Sequence, residues 1–165
     1  MGADEGSSRY RRFVLERAAE AGVKTFRDDF TWSDMEPERG KYNFAANDGR
    51  LDDLAAAGAR QIGLITYGNP WASAKGSECA RQKGGNCTVY PPDDPLDYAR
   101  FAGVLADRYR DSVHDWEIWN EQNSGIRFWA GSDYPWKFGA GAGGDPVRYG
   151  ELLEATYATI KQSQP

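Results

Sequence analysis

The chain is poor in the side chains that most often hold metal ions. It has one histidine and two cysteines among its 165 residues, which is too few soft ligands for a typical zinc site. It also lacks an apolar run approaching the ~20 residues of a membrane span, and residues 1–8 lack the apolar core of a signal peptide. We therefore predict no metal, no cofactor and no membrane partner.

Basic residues are in the minority. Lysine and arginine total 20 against 25 acids, which gives a formal net charge of −5 and an isoelectric point near 5.0. A nucleic-acid-binding domain would carry a basic surface, so we expect no nucleic-acid partner. Hydrophobic residues at 40% and charged residues at 27% are typical of a folded globular chain rather than a disordered one. The length predicts one domain over residues 1–165.

Helix and strand patterns alternate along the chain. Helical spacing and capping signals predict four helices, over residues 8–21, from Asn47 or Asp48, from Asp94-Pro95 and from Asp145-Pro146. Short runs of strand-forming residues predict three strands, at 23–27, 61–67 and 114–119. The order α-β-α-β-α-β-α predicts an α/β fold with a parallel sheet and right-handed crossovers.

The predicted loops differ in length at the two ends of the sheet. Connections before each strand are short, whereas those after each strand are long and rich in Trp, Tyr, Asn, Gly and acids. In parallel α/β proteins the loops at the carboxyl ends of the strands build the active site. We therefore expect the site in residues 28–46, 68–93 and 120–144.

The stretch WEIWNEQN, residues 116–123, ends the third predicted strand. It places the carboxyl of Glu121 beside the amide of Asn120 and near two indoles. In apolar surroundings a carboxyl can donate a proton to a leaving oxygen, while an amide can hydrogen-bond a sugar hydroxyl and an indole can cover a sugar ring. A solvated loop glutamate is the alternative interpretation, because most glutamates are exposed.

WEIWNEQN resembles the acid/base motif at the end of strand 4 in the retaining glycoside hydrolases of clan A. VKTFRDDFTWSDMEPERGKYNF, residues 23–44, resembles strand 2 and its loop in that clan, and YARFAGVLADRYRDSVHDWEIWNE, residues 98–121, resembles helix 3 running into strand 4. The resemblance covers nearly the whole chain and is closest to glycoside hydrolase family 39 (β-xylosidase-like) and family 5. Gln122 is a departure, since many members have proline there.

The resemblance implies an α/β fold of the (β/α)8 TIM-barrel type, of which the chain covers only helix 1 to helix 4 with strands 2–4. It implies retaining hydrolysis of an O-glycosidic bond in a β-xyloside-like or β-glucoside-like carbohydrate. Glu121 would be the general acid/base, Asn120 would bind the hydroxyl next to the anomeric carbon, and Arg27 would support the nucleophile. That nucleophile is a glutamate at the end of strand 7, so we expect the remainder of the barrel from a parent chain and little activity from these residues alone.

Further candidate contacts with an oligosaccharide or glycoside substrate lie in the predicted loops or at the end of the third predicted strand: Trp32, Asn69, Trp71, Trp119 and Asn123. Tyr67, Trp129 and Trp136 are further candidates, and packing at the barrel mouth is the alternative role for the aromatic residues. We interpret Glu36, in the turn EPERG, as a solvated or capping group. Asp28 and Asp29 would lie ~10 Å from Glu121 across two strands, which leaves an inverting carboxylate pair open.

Cys79 and Cys87 flank a glycine-rich loop, and we predict a disulfide between them, with two free thiols as the alternative. A disulfide favours a secreted or cell-surface protein. Two other functions stay open: a non-catalytic carbohydrate-binding barrel fragment, and an α/β nucleotide-binding domain. The second rests on the G-x-G-x-x-G pattern at 139–144, which lacks the preceding strand that a dinucleotide fingerprint needs.

Overall fold

A computed structural model of the chain describes residues 3–124, 129–130 and 144–165, with side chains from residue 9 onward. The predictions on Trp136 and on 139–143 of the glycine-rich run lie outside the described residues. The helices and strands, in chain order, are α1 (Ala3–Glu20), β1 (Thr25–Thr31), α2 (Trp32–Met35), α3 (Ala45–Ala56), β2 (Arg60–Thr66), α4 (Ala74–Arg81), α5 (Pro95–Arg108), β3 (Asp115–Ile118) and α6 (Pro146–Ser163). The predicted alternation of helices and strands is confirmed.

The three strands form one parallel sheet in the order β1-β2-β3. The register places Asp29 beside Leu64 and Leu64 beside Glu117. Because side chains alternate along a strand, these positions share one face of the sheet, together with Arg27. Helices join consecutive strands, as in a segment of a (β/α) barrel.

The opposite face of the sheet packs against the helices and forms the core. Phe30, Ile65 and Ile118 are buried there, and the Phe30 ring lies 5.3 Å from the ring of Tyr109 at the end of α5. Burial of each such side chain contributes about 1.5–3 kcal/mol. The core therefore holds the sheet from the helix side, while Arg27, Asp29 and Glu117 lie with Leu64 on the other face.

Two of the three predicted N-caps are confirmed, whereas α1, predicted from residue 8, begins at Ala3. The Asp94 carboxylate accepts from the backbone N–H of Leu96 at 2.9 Å, and the Asp145 carboxylate accepts from that of Arg148 at 3.0 Å. The proline that follows each cap needs no hydrogen-bond partner.

The predicted start of α3 is wrong. The helix begins at Ala45, whose N–H donates to the Asn43 side chain at 3.3 Å. Asp48 does not cap the helix, because its carboxylate accepts from Arg108 and Tyr109 of a distant segment.

The first strand begins later than predicted and is longer. It runs over Thr25–Thr31 rather than 23–27, so Asp28 and Asp29 lie inside the strand and not in the loop after it. Pairing with β2 continues to the last residue of each strand, where Thr31 lies beside Thr66. This continuous pairing outweighs the low strand propensity of aspartate.

The long loop after β2 contains short helices that the sequence pattern did not predict. A 3-10 turn covers Pro70–Ala72, α4 follows, and a second 3-10 turn covers Cys87–Val89. The predicted disulfide between Cys79 and Cys87 is confirmed and joins α4 to the second turn. Of the helices in the described ranges, none is both long enough and apolar enough to cross a membrane.

Candidate active site

Four polar side chains, those of Arg27, Glu117, Asn120 and Tyr67, meet near the carboxyl ends of β2 and β3. Arg27 of β1 donates from Nε to Oε2 of Glu117 at 2.7 Å and from Nη2 to Oδ1 of Asn120 at 3.1 Å. The Nδ2 group of Asn120 donates to the hydroxyl of Tyr67, which follows β2, at 3.1 Å. The sheet therefore brings the predicted residues Arg27 and Asn120 together, because the long Arg27 side chain reaches from the third residue of β1 to the end of β3.

The backbone is strained where β3 ends. Trp119 has φ of +66° and Glu121 has φ of +51°, a left-handed conformation that is uncommon for residues other than glycine and costly for bulky ones. Such strain persists where surrounding contacts enforce it, and it clusters at functional sites. The two strained residues flank Asn120.

A buried tyrosine secures this strained segment. The Tyr98 hydroxyl donates to the carbonyl of Ile65 and accepts from the N–H of Trp119 at 3.3 Å. Burial raises the pKa of Tyr98 well above its usual value, so the hydroxyl stays protonated and keeps donating. The end of β3 is thereby tied to β2.

Glu121 is exposed in the described part of the chain, so the apolar surroundings expected of a proton donor are not seen there. Its carbonyl accepts from the N–H of Ser124 at 2.8 Å, which closes a tight turn after the strand. The turn also packs closely against Gly144, two residues before α6. A Cβ atom added to this glycine would lie only 1.8 Å from the Gln122 carbonyl oxygen. Asn123, also exposed, lines a cavity beside this turn.

Three predicted aromatic contacts, Trp129 among them, prove to be core residues. Trp32 is completely buried, and its Nε1 donates to Glu36 at 2.7 Å. Trp119 is also buried, with its ring 4.8 Å from that of Trp129. The prediction of these indoles as sugar platforms is wrong, because other side chains already cover their faces.

The two candidates in the loop after β2 differ in exposure. Asn69 is buried, and its Nδ2 donates to the backbone carbonyl of Glu36 at 2.8 Å, which corrects its predicted contact with substrate. Trp71 is half-buried, its Nε1 donates to the same carbonyl at 3.1 Å, and the Arg39 guanidinium lies 5.0 Å from its ring centroid. Trp71 stays a predicted substrate contact.

Glu36 is the residue that the sequence interpretation placed most wrongly. It is completely buried rather than solvated. Its carboxylate accepts from Trp32, from the Gly40 N–H at 2.7 Å and from Arg100 at 2.7 and 3.0 Å. Arg100 is 64 positions away in the chain, so the local turn pattern carried no signal of this pairing.

The two acids in β1 point to opposite faces of the sheet. Asp28 forms an ion pair with Arg50 of α3 at 3.1 Å, on the helix side, and is therefore not a partner for Glu121. Asp29 lies on the face that carries Arg27 and Glu117. Its pKa is raised by burial and, to a smaller degree, by the negative charge of Asp28.

The segment after the disulfide supports the loops at this end of the sheet. The Thr88 carbonyl accepts from the N–H of Gly68 at 2.7 Å, and the Val89 carbonyl accepts from that of Ala130 at 2.8 Å. A Cβ on Gly68 would lie 1.9 Å from the Tyr90 carbonyl oxygen, so only glycine permits this approach. Within the described ranges, no group of three or more His, Cys, Asp or Glu is placed to hold a metal ion.

A family model described as β-galactosidase, that of glycoside hydrolase family 42, matches residues 7–83. A search of curated proteins gave no match.

Solved structures match more of the chain than this family model does. A family 39 glycoside hydrolase from Bacteroides cellulosilyticus WH2 has a TM-score of 0.67 at 23% identity, with 99% of this chain and 28% of that chain covered. Fpglu1 from Fervidobacterium pennivoraus has a TM-score of 0.64 at 17% identity, with 95% of this chain and 39% of that chain covered. The exo-β-1,4-mannosidase Op5Man5 from Opitutaceae bacterium strain TAV5 has a TM-score of 0.61 at 16% identity, with 93% of this chain and 26% of that chain covered.

The chain spans 26% to 39% of the length of these three structures. At these identities the likeness shows the fold, and the fold is a part of a TIM barrel, as predicted. The chain is therefore similar to the clan A glycoside hydrolases, family 39 among them, and the resemblance seen in the sequence is confirmed.

Proposed function

We propose that these residues are the part of a retaining glycoside hydrolase that carries its general acid/base, Glu121, and a hydroxyl-binding amide, Asn120. The observation that supports this most is the meeting of Arg27, Asn120 and Tyr67 near the carboxyl ends of β2 and β3, next to Glu121 on a strained backbone. Functional residues of α/β barrels lie at this end of the sheet.

In the first step, the Glu121 carboxyl donates its proton to the glycosidic oxygen while a second carboxylate attacks the anomeric carbon, so the leaving group departs as an alcohol. In the second step, the Glu121 carboxylate takes a proton from water, and that water displaces the enzyme carboxylate. The two carboxyl groups must stand ~5–5.5 Å apart in such a mechanism.

Two carboxylates of the strands are already held by cations. Glu117 is paired with Arg27, and Asp28 with Arg50. We therefore include in the proposal that the nucleophile comes from residues outside this chain. An inverting pair with Asp29 remains the alternative, since Asp29 shares the face that carries Glu117.

Asn120 is held in an orientation that suits sugar binding. Arg27 donates to its Oδ1, so the Nδ2 group is turned toward Tyr67. An amide nitrogen has two hydrogens, and the second can be donated to the sugar hydroxyl next to the anomeric carbon. Trp71 and Asn123 would contact the substrate further out.

The proposed substrate is a β-xyloside-like or β-glucoside-like carbohydrate, as the resemblance implies. The disulfide between Cys79 and Cys87 supports, within the same proposal, a secreted or cell-surface protein, because disulfides persist in oxidising compartments. A non-catalytic carbohydrate-binding function is the second candidate, and the exposure of Glu121 in the described part of the chain favours it.

Isothermal titration calorimetry of the purified chain tests the proposal. We expect binding of xylobiose or cellobiose, no binding of ATP, and about tenfold weaker sugar binding by Asn120→Ala, because a hydrogen bond to a hydroxyl is lost. Gln162→Ala, at an exposed amide of α6, is the matched control and should bind as the wild type does. Absence of sugar binding, or equal binding by Asn120→Ala, would contradict the proposal, and ATP binding would favour the nucleotide-binding alternative.

A further inference from the structure

Glu117 has no role in the proposed chemistry, yet it belongs to the group of side chains that Arg27, Asn120 and Tyr67 form near the ends of the strands. Its Oε2 accepts from Nε of Arg27 at 2.7 Å, and both side chains are close to half exposed, at 41% and 47%. An ion pair this exposed contributes little to stability. The pair therefore calls for an explanation other than stability.

The guanidinium of Arg27 bridges two acceptors. Nε faces Glu117, and Nη2 faces Oδ1 of Asn120 at 3.1 Å. Because a guanidinium is a rigid, planar fork, an acceptor that fixes Nε also fixes the direction of Nη2. The position of Glu117 therefore sets where the Arg27 donor meets the Asn120 amide.

The orientation of the Asn120 amide matters because its two ends have opposite hydrogen-bonding roles. With Oδ1 on the cation, Nδ2 is directed to the Tyr67 hydroxyl. A flipped amide would put two donor hydrogens against the Arg27 cation and leave Oδ1 facing Tyr67. Arg27 opposes this flip only while Glu117 keeps its guanidinium in place.

The surroundings of Glu117 favour this arrangement. Tyr149 of α6 donates its hydroxyl to the Ile118 carbonyl at 2.9 Å. Burial raises the pKa of Tyr149, and the negative charge of Glu117 raises it further, so the tyrosine stays neutral. Glu117 thus has a neutral neighbour in Tyr149 and its cationic partner in Arg27.

We propose that Glu117 is a positioning residue that acts through Arg27 to hold the Asn120 amide with Nδ2 turned to the substrate hydroxyl. This inference rests on the proposed function, because it assigns Asn120 to a sugar hydroxyl. Its structural part, the control of Asn120 orientation by Glu117, can be measured without any sugar.

The first test measures the side-chain amide protons of Asn120 by NMR in the 15N-labelled chain, with their signals assigned by their loss in Asn120→Asp. We expect these protons to exchange with water about fivefold faster in Glu117→Gln. A neutral acceptor holds the Arg27 guanidinium less strongly than a carboxylate does, so the Asn120 amide turns away from Tyr67 more often. Asp115→Asn is the matched control: it removes an exposed ion pair with Arg60 at the other end of β3 and should exchange as the wild type does.

The second test compares binding of methyl β-xylopyranoside and its 2-deoxy analogue by calorimetry. We expect the wild type to prefer the 2-hydroxyl compound by about tenfold, and Glu117→Gln to lose most of that preference while its far-ultraviolet circular dichroism is unchanged. If Glu117→Gln does not fold, Arg27→Lys replaces it, because an ammonium cannot reproduce the planar fork.

The outcomes separate the two proposals. If the wild type binds neither compound, the proposed function fails, and amide exchange alone decides the role of Glu117. Unchanged amide exchange in Glu117→Gln, or a full 2-hydroxyl preference in that variant, would overturn the positioning role and leave the proposed function intact.

Discussion

One guanidinium nitrogen of Arg100 donates to both oxygens of the Glu36 carboxylate, at 2.7 and 3.0 Å, although Glu36 is completely buried. The ion pair ties the loop after β1 to α5. The backbone carbonyl of Glu36 also accepts from Asn69 and Trp71, so the same residue secures the loop after β2. Glu36 therefore joins three segments near the carboxyl end of the sheet.

The Glu36–Arg100 pair should be important for stability. We expect Arg100→Ala to lower the free energy of unfolding by about 3 kcal/mol, because it leaves a buried carboxylate without its cation. Urea denaturation at pH 7 measures this. The control is Arg110→Ala, which breaks an exposed pair with Asp107 and should cost less than about 1 kcal/mol. Equal losses in the two variants would contradict the account.

Asp48 should make stability depend on pH. Hydrogen bonds from Arg108, which outweigh the effect of burial, and one from Tyr109 hold the pKa of Asp48 below its ordinary value of 3.8. Because the folded-state pKa is lowered, the stabilisation is present above pH 3.8 and is lost as the pH falls through the folded-state pKa. Asp48→Asn should thus be less stable than the wild type at pH 7, by up to about 1 kcal/mol for this half-exposed pair.

The difference between Asp48→Asn and the wild type should close as the pH falls below 3.8, in urea denaturation repeated across the acid range. Asp52→Asn, at an exposed acid of the same helix, controls for the general effect of removing one negative charge. A difference for Asp48→Asn that stays constant down to acid pH would show that the carboxylate charge is not the cause.

The disulfide should stabilise the loop after β2. It closes a loop with a sequence separation of 8, so reduction should lower the free energy of unfolding by about 2.5 kcal/mol on the chain-entropy model. The double variant Cys79→Ser, Cys87→Ser should be insensitive to reductant. Thiol labelling of the denatured protein should give two labels only after reduction, and two labels without reductant would contradict the bridge.

The chain by itself should hydrolyse little or no glycoside. Purified chain and Glu121→Gln should both show only background turnover of aryl β-xylosides and β-glucosides, because the proposed nucleophile lies outside these residues and two carboxyl groups are required. Turnover that depends on Glu121 would contradict this prediction. Asp29 would then be the second catalytic carboxylate, and we would expect Asp29→Asn to abolish the activity.

Local signals in the sequence predicted much of the fold. Asp94-Pro95 and Asp145-Pro146 carry a cap and a favourable first helical residue within two positions, so both helix starts were predictable. The length of β1 was not, because pairing with β2 as far as Thr31 and Thr66 extends the strand across two aspartates. Strand ends that depend on a partner leave no local pattern.

The location of the candidate site could be predicted from the sequence better than the burial and the contacts of its residues. Parallel strands bring their carboxyl ends together, which accounts for the meeting of Tyr67 and Asn120. Arg27 lies nearer the start of β1, and its contact with Asn120 depends on the length of its side chain. The burial of Trp32 and Glu36 was not predictable, because it depends on Arg100 and other residues of α5, about 60 positions further along the chain. An aromatic residue or an acid in a loop sequence looks the same whether that loop is open or folded over the core.

The most direct test of the central claim is an NMR titration of the 15N-labelled chain with methyl β-xylopyranoside, which locates the sugar by the signals that shift. We expect the largest shifts at the side-chain amide of Asn120, at the side chain of Arg27 and at the backbone of residues 119–123, and we expect these shifts to be lost in Asn120→Ala. Shifts confined to another part of the chain, or no shift at all, would contradict a sugar-binding site at the carboxyl ends of the three strands.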